Sequence, residues 1–385
     1  MMAPGLRLKG ARVLLPDGLA RVPLTICDGV VCDGATAPDA RDVDLTGYLV
    51  MPGIVDAHGD GFERHLAPRR GAMKDLDQGL VAAEAELAAN GITTAVLAQF
   101  YSWEGGMRGP DFATRVLAAL DAVRDSVVTD LHAQLRFEVP MLDDYGTFRA
   151  LAAAHGVRHV VFNDHLPHDA LDKGKRPPRL TGHALRIGKN PDTHLSDMQA
   201  LHARMDEVPA ALDDLCAGLA ADGVRMGSHD DRSAQDRAAW RGRGVRISEF
   251  PETLAAAEAA REGDDLVILG APNVVRGGSH NGNVSALDLV AMGLCDALAS
   301  DYHYPSPRRA AFLLADSGVL DLPGAWWLIS GGPAQGLGLT DRGDLTRGKR
   351  ADLVVLDAET RRIGATLSGG RVSYMSGAVA ARFLR

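Results

Sequence analysis

A chain of 385 residues suits one large α/β barrel with a small appendage, and 46% apolar residues supply a sizeable core. A net charge of −9 argues against a nucleic acid or an anionic membrane as partner, so an anionic substrate would have to meet a local basic patch. No segment reaches the length of a membrane span and the N-terminus lacks a signal-peptide h-region. Cys27, Cys32, Cys216 and Cys295 show no C-x-x-C spacing. The expectation is four free thiols in a soluble cytoplasmic protein.

Residues 5–48 read as short strands with tight turns, at Arg7–Lys9, Ala11–Leu15 and Leu24–Val31, with Pro16-Asp-Gly and Asp28-Gly as turn signals. Such a piece cannot bury a core alone. Gly348–Asp357 contains a further strand, and Ile363–Ala380 offers more, so the two termini are expected to build one small β domain, 1–48 plus 345–385. Between them, in 49–344, apolar strand candidates run Leu49–Val55, Thr93–Phe100, Gln134–Val139, His159–Phe162, Val224–Ser228, Val245–Phe250, Leu266–Gly270 and Asp296–Ser300. Ala-rich helical stretches separate several of them, at Gly79–Ala89, Phe112–Thr129, Val208–Ala221, Glu252–Glu262 and Ala286–Gly293. Eight strands alternating with helices predict a (β/α)8 TIM-like barrel. One stretch, Asp164–Asp197, breaks the pattern. It carries Lys173, Lys175, Arg176, Arg179, Arg186 and Lys189 among prolines and glycines, and is expected to be irregular.

The first strand candidate ends in Asp56, His58 and Asp60, at alternate positions that share one face of a strand. An imidazole beside a carboxylate at a strand's carboxyl edge suits a borderline divalent cation such as Zn²⁺. Other strand candidates end the same way, in Glu138, in Asn163-Asp-His165, in His229-Asp-Asp231 and in Asp301-Tyr-His303. Any one of these is ordinarily a capped loop residue, a salt-bridge partner or a helix N-cap. Ligand-type residues at five barrel strand ends are better explained together, as a metal centre at the catalytic face.

Met51-Pro-Gly-Ile-Val-Asp-Ala-His58, Gly91-Ile-Thr-Thr94 and Lys349-Arg-Ala-Asp-Leu-Val-Val-Leu356 resemble the amidohydrolase superfamily. Four further blocks, Ser228–Asp231, Glu249–Thr253, Gly270–Asn283 and Ser300–Tyr302, are similar to its PhnM-type branch, the ribose 1-methylphosphonate 5-triphosphate diphosphatases. The resemblance implies a metal-dependent hydrolase of phosphonate catabolism with a barrel and a β domain built from both termini. It implies that His58 and Asp60 bind one metal and His165 and His229 a second, with Glu138 bridging. It makes Asp301 a metal ligand that holds and deprotonates the attacking water, a role that suits a carboxylate just past the last strand. One or two divalent ions, Zn²⁺ foremost, are the expected cofactor. In the first motif the branch has polar residues where Gly59 and Gly61 stand here.

A polyphosphate needs cations and backbone donors around it. Arg276, Ser279, His280 and Asn283 in a glycine-rich block are suited to this, and Arg64 and Arg69 follow the first motif. Lys175, Arg176 and Arg179 in the basic stretch are read as a mobile lid over the phosphates, against the plainer reading of a solvated surface loop. The expected partner is thus a small anionic substrate, with no nucleic acid and no membrane; a homo-oligomer stays open. Two rival functions remain: a carbon–nitrogen hydrolase (cyclic amidase or deaminase) of the same superfamily, and a non-catalytic metal-binding scaffold.

Overall fold

The computed structural model describes residues 5–67, 75–277 and 284–385. Eight strands form one sheet in strictly sequential order. They are β1 (Ile54–Gly59), β2 (Ile92–Tyr101), β3 (Asp130–Glu138), β4 (His159–Asn163), β5 (Arg225–His229), β6 (Ile247–Glu249), β7 (Leu266–Gly270) and β8 (Ala297–Ala299). The pairs β1–β2, β3–β4, β4–β5, β5–β6 and β7–β8 are parallel. A parallel bridge from Gly59 to Asp301 brings the first strand to the end of the last, so the barrel is nearly closed. Every residue of β1 and β2 is buried, as expected of strands covered on both faces.

The helices start where local chemistry dictates. Asp75, Ser233, Thr253 and Ser285 cap Leu76–Ala89, Ala234–Gly242, Leu254–Glu262 and Ala286–Ala291, each accepting a hydrogen bond from a backbone N–H of the first turn. The chain divides into two compact units: 1–97 with 120–132 and 266–385, and 98–119 with 133–265.

The apolar run Leu49–Val55 is not one strand. Tyr48–Pro52 pairs antiparallel with Leu353–Asp357 in a six-stranded sheet built from the two ends of the chain, and β1 begins only at Ile54. Gly53 makes the changeover. Its N–H donates to the Asp352 carbonyl at 2.8 Å, and a Cβ there would lie 2.3 Å from Thr93 Oγ1. Hydrophobic content is the same on either side of that glycine, so periodicity could not reveal the break. A second terminal sheet has four strands, Val30–Cys32, Leu24–Cys27, Leu6–Lys9 and Arg41–Asp44 in that order. Leu8, Val13, Ile26, Val43 and Val50 pack in one core with Leu345, Leu353, Val355, Leu367 and Phe383, so both chain ends share it.

Two expectations are corrected here. Cys27 and Cys32 are joined by a disulfide, because the hairpin Leu24–Cys27/Val30–Cys32 brings their Cα atoms to 5.9 Å; Cys216 is a buried free thiol. The stretch 164–197 is not irregular: it folds into helices His168–Asp172, Leu180–Arg186 and Pro191–His202. Pro191 starts a helix, where its missing N–H costs nothing, and Asn190 caps it by accepting from Asp192 and Thr193. Leu166, Leu171, Leu180 and Met198 bury one another beneath these helices. Among the described residues no helix is long and apolar enough to cross a membrane.

Candidate metal centre

In the first unit the key side chains follow from β1. Alternation places Asp56 and His58 on one face of the strand, and both are fully buried. Asp56 accepts hydrogen bonds from Ser300 N at 2.8 Å and Ser300 Oγ at 2.5 Å. Burial nevertheless pushes its pKa up to about 6, the Ser300 bonds and His58 opposing the rise. Asp301 stands next to Ser300. Its N–H donates to the His58 carbonyl at 3.0 Å, and its own carbonyl accepts from Asp60 N at 2.9 Å. Two backbone bonds therefore fix Asp301 against the His58-Gly-Asp60 turn. Asp60 itself follows the strand and is half-buried.

Gly59 explains itself in this setting. A Cβ there would lie 2.7 Å from Asp56 Oδ2, 3.0 Å from Ser300 Oγ and 3.3 Å from Tyr304 Cε1. Tyr304, wholly buried, also comes within 3.2 Å of a Cβ built on Gly61. The Asp56 carboxylate and Ser300 hydroxyl stand closest at 59 and the Arg64 guanidinium at 61, with the Tyr304 ring next at both. Gly59→Ala should destabilise the fold by about 1–3 kcal/mol through this overpacking. Denaturant unfolding of the variant measures it; an unchanged midpoint would show that the Asp56–Ser300 contact yields freely.

In the second unit, β3 and β4 place Glu138 against His165. Glu138 Oε1 lies 2.5 Å from His165 Nδ1, while Oε2 accepts from His165 N at 2.9 Å and from Trp103 Nε1 at 3.2 Å. Burial alone would raise the Glu138 pKa and depress that of His165. The bond and opposite charges reverse both, holding the carboxyl low and the imidazole high. His229, at the end of β5, has Asp230 Oδ2 3.0 Å from Nδ1 and Arg136 Nη2 3.1 Å from Nε2. The carboxylate and the guanidinium together select the Nδ1–H tautomer. Burial raises the Asp230 pKa, but His229, His165 and Arg136 outweigh it and leave it lowered. His165, His229 and Asp230 line one cavity of about 340 Å³ with Asp164, Asp231 and Asp236.

Asp230 and Phe250, immediately past β5 and β6, and Asp301, two residues past β8, have φ of 61°, 53° and 54°. Left-handed backbone at non-glycine residues is a strain that clusters at functional sites.

Sequence reasoning passed over some residues. Glu249 ends β6 in register with His229, is fully buried, and accepts from Gln134 Nε2 at 2.7 Å. The signal was the same as for Glu138: a carboxylate closing a short apolar strand. Arg136 and Tyr304 carried no such signal, since a strand-interior arginine and a loop tyrosine are common.

The expected phosphate ligands are differently placed. Arg64 pairs with Glu86 and donates to the Tyr302 carbonyl at 3.2 Å. Arg276, the last residue of helix Ala271–Arg276, donates to Tyr302 Oη and to Asn273 Oδ1, both at 2.5 Å. Arg176 pairs with Asp192 at 2.8 Å and Lys189 with Asp197, so part of the basic stretch is neutralised by its own acids. Lys175 and Arg179 are exposed. Arg69, Ser279, His280 and Asn283 lie outside the described residues.

Comparison with known proteins gives a consistent family. No family model matches the chain. The chain is 32% identical over 333 residues to alpha-D-ribose 1-methylphosphonate 5-triphosphate diphosphatase of Escherichia coli (strain K12), covering 85% of this chain and 87% of that protein. Solved structures share the fold at lower identity. D-aminoacylase matches with TM-score 0.64 at 15% identity, over 96% of each chain. N-acyl-D-glutamate deacylase from Bordetella bronchiseptica, complexed with zinc and a phosphonate inhibitor, matches with TM-score 0.61 at 15% identity, again over 96% of each. N-acetylglucosamine-6-phosphate deacetylase from Pasteurella multocida matches with TM-score 0.62 at 9% identity, over 96% of this chain and 99% of that one. By its relation to the Escherichia coli enzyme, the chain belongs to the alpha-D-ribose 1-methylphosphonate 5-triphosphate diphosphatase family.

Proposed function

We propose that this protein hydrolyses the 5-triphosphate of a ribose 1-phosphonate, releasing pyrophosphate. The observation that carries the reading is the 32% identity over 85% of the chain to a diphosphatase of that name. The proposed metal ligands are His58, Asp60, Glu138, His165, His229 and Asp301, with Glu249 added because it closes β6 in register with His229. Imidazoles and carboxylates without a thiolate form an N/O donor set, which suits Zn²⁺, as one or two ions. When bound, a divalent cation supplies Lewis acidity at the phosphoryl oxygen and makes water acidic enough to attack near neutral pH.

The chain's own groups do the rest. The oxygen of water attacks phosphorus, its proton passes to the Asp301 carboxylate, and the phosphoanhydride bond breaks with pyrophosphate leaving. Arg64, Arg69 and Arg276, with Ser279, His280 and Asn283, are proposed to hold the phosphates, and Lys175, Arg176 and Arg179 to approach from the insertion. Arg176 must exchange Asp192 for phosphate to do so. Because strand Tyr48–Pro52 belongs to the terminal sheet, domain boundaries are proposed at 1–52 plus 345–385 for the small β domain and 53–344 for the barrel.

The test is pyrophosphate release by the Zn²⁺-loaded protein from ribose 1-methylphosphonate 5-triphosphate, beside a panel of cyclic amides and N-acyl amino acids. Release of one pyrophosphate per triphosphate, abolished by chelation, is expected. Inactivity on the triphosphate with cleavage of a ring amide would replace this reading with a carbon–nitrogen hydrolase.

A further inference from the structure

Strand β3 carries a buried cation that residue pattern does not single out. Arg136 and Glu138 stand two residues apart on it, so alternation turns both side chains to the same face. Arg136 is buried, and a buried guanidinium is costly unless the groups around it compensate. Its guanidinium carbon lies 4.0 Å from the centroid of the Phe100 ring, a cation–π contact that sets where the fork sits. Its Nη2 lies 3.1 Å from His229 Nε2. A guanidinium only donates, so the Nε2 lone pair accepts. Asp230 holds the other nitrogen of that ring, Nδ1, at 3.0 Å. The carboxylates nearby have imidazole partners: Glu138 is held by His165 and Asp230 by His229.

The Nε2 lone pair that accepts from Arg136 is the one His229 would offer to a metal. It cannot serve both, so an ion at His229 displaces Arg136 Nη2 from it. The guanidinium stays charged at any working pH, and two cations this close repel unless an anion lies between them. We propose that Arg136 is a substrate-binding residue, donating through its fork to phosphoryl oxygens drawn to the metal centre. A planar fork matches phosphate oxygens two at a time, and the fixed charge favours a phosphoanhydride over a neutral amide. Lys175, Arg176 and Arg179 are exposed, so water screens their charges, whereas a contact made by buried Arg136 is desolvated and stronger. The proposal rests on the diphosphatase reading and supplies that site with its buried cation.

Calorimetric titration of the Zn²⁺-loaded full chain with inorganic pyrophosphate tests it. Bound Zn²⁺ is measured before and after, so that stripping is seen, and circular dichroism confirms that the variants fold. R136M should bind pyrophosphate about 10–100-fold more weakly than the parent, the loss of a hydrogen bond between charged groups. Its Zn²⁺ affinity should equal or exceed the parent's, since a competitor for His229 Nε2 is gone. An arginine that only supported the barrel would weaken both. R136K should recover part of the pyrophosphate binding, because an ammonium keeps the charge without the fork, and it carries the test if R136M does not fold. Equal pyrophosphate affinity in the parent and a folded variant, or loss of Zn²⁺ and pyrophosphate together, would overturn the assignment. The diphosphatase reading fails separately, if the parent binds pyrophosphate in this way and leaves the ribose 5-triphosphate uncleaved.

Discussion

Asp301→Asn should lower turnover of the ribose 5-triphosphate by about 10²–10⁴-fold, the contribution of a positioned general base. The substitution is suited to the question. Asparagine tolerates the left-handed backbone found at 301, where φ is 54°. It leaves in place the N–H that donates to the His58 carbonyl and the carbonyl that accepts from Asp60. The fold and the geometry of the first motif should therefore persist while the proton acceptor is lost. Steady-state kinetics of pyrophosphate release, with bound metal measured in the same preparation, separates the two roles of Asp301. A near-parental kcat would move the base elsewhere, with Asp230 the next carboxylate at a strand end. A loss of activity matched by a loss of metal would make Asp301 chiefly a ligand.

Arg237→Ala should cost about 3–5 kcal/mol of stability, the usual consequence of leaving buried carboxylates without their partner. Arg237 is fully buried in helix Ala234–Gly242. It lies 3.1 Å from Asp231 Oδ2 and 3.1 Å from Asp265 Oδ2, and donates to Ser228 Oγ at 2.8 Å and to the carbonyls of Ile247 and Val245. Asp231 in turn accepts from Ser228 Oγ at 2.9 Å and Ser248 Oγ at 2.7 Å. One guanidinium thereby ties β5 to β6 beside His229 and Glu249. Burial lowers the Arg237 pKa, with Asp231 and Asp265 opposing the change. Urea unfolding reads the loss directly. Arg237→Lys should recover only part of it, because an ammonium lacks the planar fork that reaches both carboxylates and both carbonyls. Parental stability in the alanine variant would mean that Asp231 and Asp265 find water or protonate at little cost. The network also assigns Asp231, the last residue of the Ser228-His-Asp-Asp231 motif, to holding strands rather than to chemistry.

The barrel was legible because its strands are short apolar segments with helices between them, and parallel strands buried on both faces read as continuous hydrophobic runs. The strand ends were legible too. Glu138, His165, His229 and Asp301 each follow an apolar run, and their residue types are those that metals and proton transfer require. Glu249 fitted that rule and was passed over, although its strand was anticipated at Val245–Phe250 and ends on that carboxylate.

Residue pattern by itself therefore determined the fold class, the shared core of the two termini and the strand ends that carry ligand-type side chains, since all three follow from local hydrophobic periodicity and side-chain chemistry. Tertiary structure alone decided the partners. Gly53 divides one apolar run between two sheets because Thr93 stands 2.3 Å from where its Cβ would be. The proline-rich stretch becomes three helices because Leu166, Leu171, Leu180 and Met198 find one another. Cys27 meets Cys32, Arg176 meets Asp192, and His168 meets His202 across 34 residues of chain. Each of these depends on distances between residues that local propensity does not encode, and the free energy of a buried contact depends on those distances.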